Sequence, residues 1–388
     1  MIGRKNEVRA RTRRLAALAV AAAVVGALGA STSSSASSRL SPQAGIAAAK
    51  KLVAQYEKPP KWAPPGKAFD ASKAKGKSIW YVSLSLSIPF EQYMLQGIKQ
   101  GAASVGAKGV GFDAKFSAAE GARGIEQAIR SKASVIMVGG LEPALIGPAL
   151  SDAESAGIPV IMCNVQDPGP PRKDYPSAVK AFATHSFSWP GKAEADFITV
   201  DANGKANILF MSTSDIPNIT TPEKEAFLNE LKRVCPGCKA EVMNVPSSQW
   251  SQLQTKTASY IRAHPDVQYI VPDFDGMVIF ALPGVHSAGA QDKVKIVSFN
   301  ATPSVMKALK RRDVVVAETG GPNLLQGWAF ADQALRVAAG VKPLPDIGIK
   351  DRLFTARNIN SIDLSAQEST WYGNTDYKAA YKKLWGAG

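Results

Sequence analysis

From Ser78 onward, short apolar runs alternate with longer stretches of helical spacing. Ile79-Trp-Tyr-Val-Ser-Leu-Ser-Leu86 predicts a strand, with aromatic and β-branched residues near its start. Ser87, Ile88 and Pro89 break it, and Phe90 opens a predicted helix to about Val105. Further strands are expected at Gly109–Asp113, Ala133–Val138, Pro159–Cys163 and Val179–Thr184, with helices at Ala118–Arg130 and Glu142–Ala156. A second series follows. Its strands are Asn207–Met211, Ala240–Val245, Tyr269–Val271, Val294–Phe299 and Val314–Ala317. Its helices are Trp189–Ala202, Thr221–Val234, Gln249–Ala263, Gly276–Ala288, Thr302–Lys310 and Gln326–Ala339. Strands alternating with helices need right-handed crossovers, so each series predicts a parallel, doubly wound sheet. The fold class is α/β: two similar lobes with a cleft between them, and ligands favour such clefts.

The first 38 residues depart from this pattern. Arg4, Lys5, Arg9, Arg11, Arg13 and Arg14 precede the apolar run Leu15–Ala30, and a Ser-rich stretch follows. This is the order of a secretory signal, with cleavage expected near Ala27–Ala30. At 16 residues the run is short for a spanning helix, which needs about 20; retention as an anchor is the alternative. Residues 31–77, with Pro59-Pro60 and Pro64-Pro65, read as a tether, partly helical over Gln43–Tyr56. The net charge of +14 holds +5 from the first 14 residues; the other +9 is scattered, with no basic stripe interleaved with aromatics. Nucleic acid is therefore not an expected partner.

In an exported chain, Cys235-Pro-Gly-Cys238 reads as a small structural disulfide. It follows a predicted helix, whereas a redox pair sits at a helix N-terminus. Zinc would need two further ligands, and no second Cys or His pair stands at metal spacing. Cys163 lies in an apolar run and is expected to be a buried thiol. The three histidines, His185, His264 and His286, are scattered. There is no Gly-x-Ser-x-Gly elbow, and Gly76-Lys77-Ser78 lacks the first glycine of a P-loop and precedes a strand. No enzyme and no cofactor is expected.

Ser83-Leu-Ser-Leu-Ser-Ile-Pro-Phe90, Ile158-Pro-Val-Ile161, Ala263-His-Pro-Asp-Val267 and Val294-Lys-Ile-Val-Ser-Phe-Asn300 occur in that order. Together they resemble the type I periplasmic solute-binding proteins, closest to the ribose-type sugar-binding proteins of ABC importers. The resemblance implies two lobes closing on a small ligand, a carbohydrate in that branch, with an ABC permease and its ATPase as partners. It implies crossovers near Thr184–Ser186, Glu318–Gly320 and Ile347–Lys350. The binding domain would be 78–358, with lobe 1 at about 78–184 and 320–348, lobe 2 at about 185–319 and 349–358, and a tail at 359–388.

The resemblance also places ligand contacts at strand ends. Phe90 and Trp250 match stacking aromatics. Ser87 stands at a usual Asn, Asn164 at a usual Asp, Phe274 at a usual Asn beside Asp275, Asn300 at a usual Asp and Glu318 at a usual Gln; Thr221 lies near a usual Arg. The charged forks that hold sugar hydroxyls in that family are absent. The resulting expectation is stacking on Phe90, Trp250 and Phe274 with hydrogen bonds from Asn164, Asn300 and Glu318. A sugar fits, and so does a less hydroxylated ring or an amine held by Glu318 and an Asp.

Overall fold

The computed structural model describes residues 39–169 and 175–387. The expected signal segment, 1–30, lies outside the described residues. Five strands, β1 (Ser78–Ser83), β2 (Lys108–Asp113), β3 (Val135–Gly139), β4 (Val160–Cys163) and β5 (Val179–Ala183), form a parallel sheet in the order β2-β1-β3-β4-β5. Six more, β6 (Asn207–Thr213), β7 (Lys239–Val245), β8 (Tyr269–Pro272), β9 (Lys295–Phe299), β10 (Val315–Gly320) and β11 (Arg352–Thr355), form a second, in the order β11-β10-β9-β8-β6-β7. All its pairings are parallel except β10 with β11. The sequence reading missed β11, whose four residues carry no alternation to mark them.

The helices are α1 (Pro42–Tyr56), α2 (Pro89–Ser104), α3 (Ala118–Arg130), α4 (Gly147–Ser155), α5 (Ser188–Asp201), α6 (Pro217–Val234), α7 (Leu253–Ala263), α8 (Asp275–Ser287), α9 (Pro303–Arg311), α10 (Asn323–Ala338) and α11 (Tyr377–Leu384). Residues of α2, α10 and α11 core one face of the first sheet, and those of α3 and α4 the other. Residues of α7, α8 and α9 core one face of the second sheet, and those of α1, α5 and α6 the other. Each sheet is buried on both faces, as parallel sheets require. Several expected boundaries shift; the helices expected from Glu142, Gln249 and Gln326 begin at Gly147, Leu253 and Asn323. The first strand stops at Ser83, because Leu84–Ile88 turns into α2 with Pro89 at its first position. The helix expected from Thr221 begins at Pro217, with Pro222 held inside it.

The terminal segments differ most from expectation. The part of the tether from Arg39 onward is docked. Ala49 and Val53 of α1 are buried on the second sheet, while Trp62, Phe69, Ala71 and Ala74 pack on the first. Between them, the Glu57 carboxylate pairs with Arg357 at 2.9 Å, and Glu57 O accepts from Arg352 Nε at 2.8 Å. The tail crosses in the opposite direction. Ile359, Ile362, Trp371 and Tyr372 join the core of the second sheet; Tyr377, Tyr381, Leu384 and Trp385 join that of the first. Trp385 stacks on Trp328 of α10 at 5.5 Å and donates from Nε1 to Asp332 at 2.7 Å. The apolar spacing of these ends matches packing on lobe surfaces that the sequence alone does not locate.

Among the described residues the chain thus passes between the sheets at 184–187, 321–322 and 347–351, and also at 57–62 and 373–376. Cys235 and Cys238 are disulfide-bonded just beyond α6, and Cys163 is a fully buried free thiol. If the last helix is part of the core, Trp385→Ala should cost about 3–5 kcal/mol. Urea unfolding of the variant measures this; an unchanged midpoint would return residues 377–387 to the status of a loose tail.

Candidate functional site

The carboxyl ends of the parallel strands converge on one cavity between the two sheets. The space inside is about 50 Å³ for the centre of a water-sized sphere, several times what one water needs. On the first-sheet side it is lined by Leu84, Ile88, Phe90, Glu91, Gly140 and Asn164. His185 and Phe187 enter from the first crossing segment. The second-sheet side contributes Ile216, Ile219, Trp250, Phe274 and Asn300.

Local backbone geometry serves this wall. Asn164 ends β4 with φ 51°, and Asn300 ends β9 with φ 120°. Asparagine tolerates positive φ better than most residues. Gly140 follows β3 at φ 67°, and a Cβ there would stand 3.0 Å from that of Leu84, so glycine suits both the turn and the close approach. Trp250 sits in the 3-10 turn Ser247–Gln252, 5% exposed, and its Nε1 has no partner. Phe116 from the first lobe meets it edge-on at 5.6 Å, and Asn218 Nδ2 donates to Glu142 Oε1 at 2.5 Å. These contacts join residues of the two lobes, so the arrangement is closed.

Polar groups on the wall are few and specifically held. Asn164 Oδ1 accepts from Gln326 Nε2 at 3.0 Å, leaving Nδ2 buried and unpartnered. Glu91 Oε2 accepts from Tyr81 at 2.6 Å and Ser83 at 2.7 Å. Burial raises the Glu91 carboxyl, against the pull of those two hydroxyls. His185 is 3% exposed, stacks on Phe299 at 5.1 Å, and has no hydrogen bond at either ring nitrogen; Nδ1 lies 3.6 Å from Asp351 Oδ1.

Of the expected contacts, Phe90, Asn164, Trp250, Phe274 and Asn300 line the cavity together. Four do not. Ser87 is exposed and bonds to Ser85 Oγ at 2.8 Å, because the turn after β1 brings Ile88 inward instead. Thr221 is half-buried in the second turn of α6, and Ile216 and Ile219, a turn earlier, take the wall. Asp275 lies behind the wall, accepting from Thr302 N at 2.7 Å, Thr302 Oγ1 at 2.6 Å and Ser298 Oγ at 3.1 Å. Glu318 is fully buried and accepts from Ala301 N at 3.0 Å, so both carboxyls brace the loop that carries Asn300. Glu91 and His185 escaped the sequence reading. Glu91 directly follows Phe90, and an acid in that first turn also reads as a helix-end charge.

A family model described as periplasmic binding protein domain matches residues 79–342. The chain belongs to this family. A ribose import binding protein of Bacillus subtilis is 21% identical over 279 residues, covering 71% of this chain and 85% of that protein. The fold matches that of a 5-methylthioribose transporter solute-binding protein from Thermotoga lettingae, with TM-score 0.68 and 18% identity, over 80% of this chain and 99% of that one. It also matches a galactofuranose-binding protein, with TM-score 0.65 and 18% identity, over 76% of this chain and 100% of that one.

This periplasmic binding protein also buries an unusual set of acids in its second lobe. Glu194, Glu223, Asp273 and Glu318 are fully buried and Asp275 nearly so; among the described residues none forms an ion pair. Burial pushes Asp273 up to about 8 and Asp275 to about 6, despite hydrogen bonds from Thr213 and Thr302 that pull them back. Burial, reinforced by neighbouring acid charge, raises Glu194, Glu223 and Glu318 well above the usual carboxylate range. Raised carboxyls keep protons that the unfolded chain releases, so their stabilisation is complete below about pH 4 and lost as pH rises toward 8. The melting temperature should therefore be higher at about pH 5 than at about pH 8. A scan across that range in one ionic strength tests this, and a melting temperature rising with pH would contradict it.

Proposed function

We propose that this chain is the extracytoplasmic solute-binding component of an ABC importer, capturing a small sugar-like molecule by closing its two lobes. The observation that carries this reading is the cavity wall, drawn from the strand ends of both sheets. A molecule held there touches both lobes at once, so it binds the closed form better than the open one and shifts the population toward it. One relative is a ribose import binding protein and one structural neighbour holds 5-methylthioribose, which supports a small carbohydrate. Phe90, Trp250 and Phe274 supply faces for the C–H surface of a ring, and Asn164 and Asn300 supply amides. Binding requires no catalytic step and no cofactor.

The partners in this reading are a membrane permease and its ATPase, reached after export directed by residues 1–30. The binding domain of this reading keeps the expected lobes, 1 at about 78–184 and 320–348 and 2 at about 185–319 and 349–358, with the docked ends from Arg39 and to residue 387 packed onto them. A second reading is favoured by the wall itself. Leu84, Ile88, Ile216 and Ile219 present aliphatic surface where a fully hydroxylated sugar would leave hydroxyls unpaired. A less hydroxylated ring or an amine fits that surface. The same fold could equally deliver its ligand state to a receptor, and a permease-reconstitution assay separates transport from sensing.

The test is a thermal-shift screen of Arg39–Gly388 against pentoses, hexoses, inositols and cyclic amines. A ligand at about 100 times its Kd should add about 2.7 kcal/mol of stability, a shift of several degrees. Absence of any shift across the panel would remove the reading. Trp250→Ala should weaken the ligand found by about 2 kcal/mol; calorimetry showing an unchanged Kd would take Trp250 out of the site.

A further inference from the structure

Among the described residues, the cavity wall holds one carboxyl group, that of Glu91, and no lysine or arginine. Glu91 is 4% exposed, and its Oε2 already accepts from both Tyr81 and Ser83. Those two hydroxyls fix the carboxyl plane, and among the described residues none donates to Oε1. The titratable groups around Glu91 are Tyr81 from β1, Asp113 from β2, Cys163 from β4 and His185 on the cavity wall. None of the first three can neutralise a carboxylate, and the nearest acid to His185 is Asp351. The rings of Phe90, Phe187, Trp250 and Phe274 line the same cavity. Behind the opposite wall lies Asp275, which among the described residues has no basic partner. A rigid carboxylate oxygen, aromatic faces in the same cavity and an acid without a basic partner form the recognition chemistry of an organic ammonium group.

We propose that Glu91 makes this cavity a site for a small cyclic amine, its ammonium N–H donating to Glu91 Oε1 and its ring packed among Phe90, Trp250 and Phe274. The proposal rests on the solute-binding reading and narrows its ligand class. Glu91, and not Glu318 with an Asp, is then the residue that sets charge preference. Among the described residues of the wall no Lys or Arg side chain offers an anion a counter-charge. Binding a cation stabilises the Glu91 carboxylate and displaces the proton that burial favours, so amine affinity rises with pH.

The experiment uses four probes in a two-by-two design: cyclohexylamine and cyclohexanol, glucosamine and glucose. Each is titrated calorimetrically into the wild-type protein and into Glu91→Gln, which keeps an oxygen for Tyr81 and Ser83. In the wild type each amine should bind at least about tenfold more tightly than its neutral counterpart, the scale of a hydrogen bond to a charged group. In Glu91→Gln that preference should vanish. A readout that needs no variant is the pH dependence of cyclohexylamine binding, which should tighten as pH rises, because burial raises the Glu91 carboxyl. Equal or tighter binding of the neutral partners, a preference that survives Glu91→Gln, a flat pH profile, or no binding of either amine each overturns the proposal. Glucose binding without amine binding leaves the solute-binding reading intact. Failure of these probes and of every sugar, inositol and amine in the wider screen removes both.

Discussion

The first turn of α10 ties the molecule together. It belongs by packing to the first lobe, yet its side chains reach into both. Gln326 Nε2 donates to Asn164 of the first lobe at 3.0 Å, and Asn323 Nδ2 donates to Asn300 O of the second at 3.0 Å. The Glu368 carboxylate accepts from Asn323 N and Leu324 N, both at 2.8 Å, and so fills the open end of the helix from the C-terminal segment. Both asparagines it holds are cavity residues with positive φ. The ligand wall, the second crossing and the chain terminus therefore meet at one helix end. Hinge proteins need such a point, since two lobes with separate cores have little else to keep their relative register.

Much of the architecture was legible from Ser78 to Ala339, because apolar runs bounded by turn residues alternate regularly with helical spacing. The terminal segments were not legible. The Pro-rich stretch after Tyr56 and the polar stretch after Asn358 have local composition typical of linkers, and what orders them is distant surface. Trp62 packs against Tyr381 at 5.4 Å, and Arg352, in a strand the sequence hid, receives the carbonyl of Glu57. Long-range pairing of this kind leaves no periodic trace. At the site, the family resemblance pointed to the aromatics Phe90, Trp250 and Phe274 and the amides Asn164 and Asn300, and all five line the cavity. Ser87 and Thr221 stand beside Ile88 and Ile219, which take the wall in their place, whereas Asp275 and Glu318 lie behind the wall and brace the loop of Asn300.

The extra crossings bear on how the lobes move. Three crossings close to the cleft form a hinge about which the two cores can rotate. The segments at 57–62 and 373–376 add two more links, and each is fastened at both ends by buried aromatic or aliphatic side chains. A lobe cannot open further than these segments allow without exposing Val53 and Ala49 or Trp385 and Tyr381. Opening in this protein is thus limited by apolar burial at its periphery as well as by the hinge.

The cavity wall supplies the opposite limit. Asn164 Nδ2 and Trp250 Nε1 are buried donors without acceptors in the closed form. A buried unpaired donor costs about 1–3 kcal/mol, and the open form hydrates both groups. The closed form without ligand therefore carries a penalty of a few kcal/mol, on the scale that keeps a conformation in the minority. A ligand that presents acceptors to these two groups removes the penalty, while its ring replaces water against Phe90 and Phe274. Charged forks would have bound a sugar in either form of the protein by strong local contacts. Unpaired donors reward only a ligand that is present when the lobes are shut.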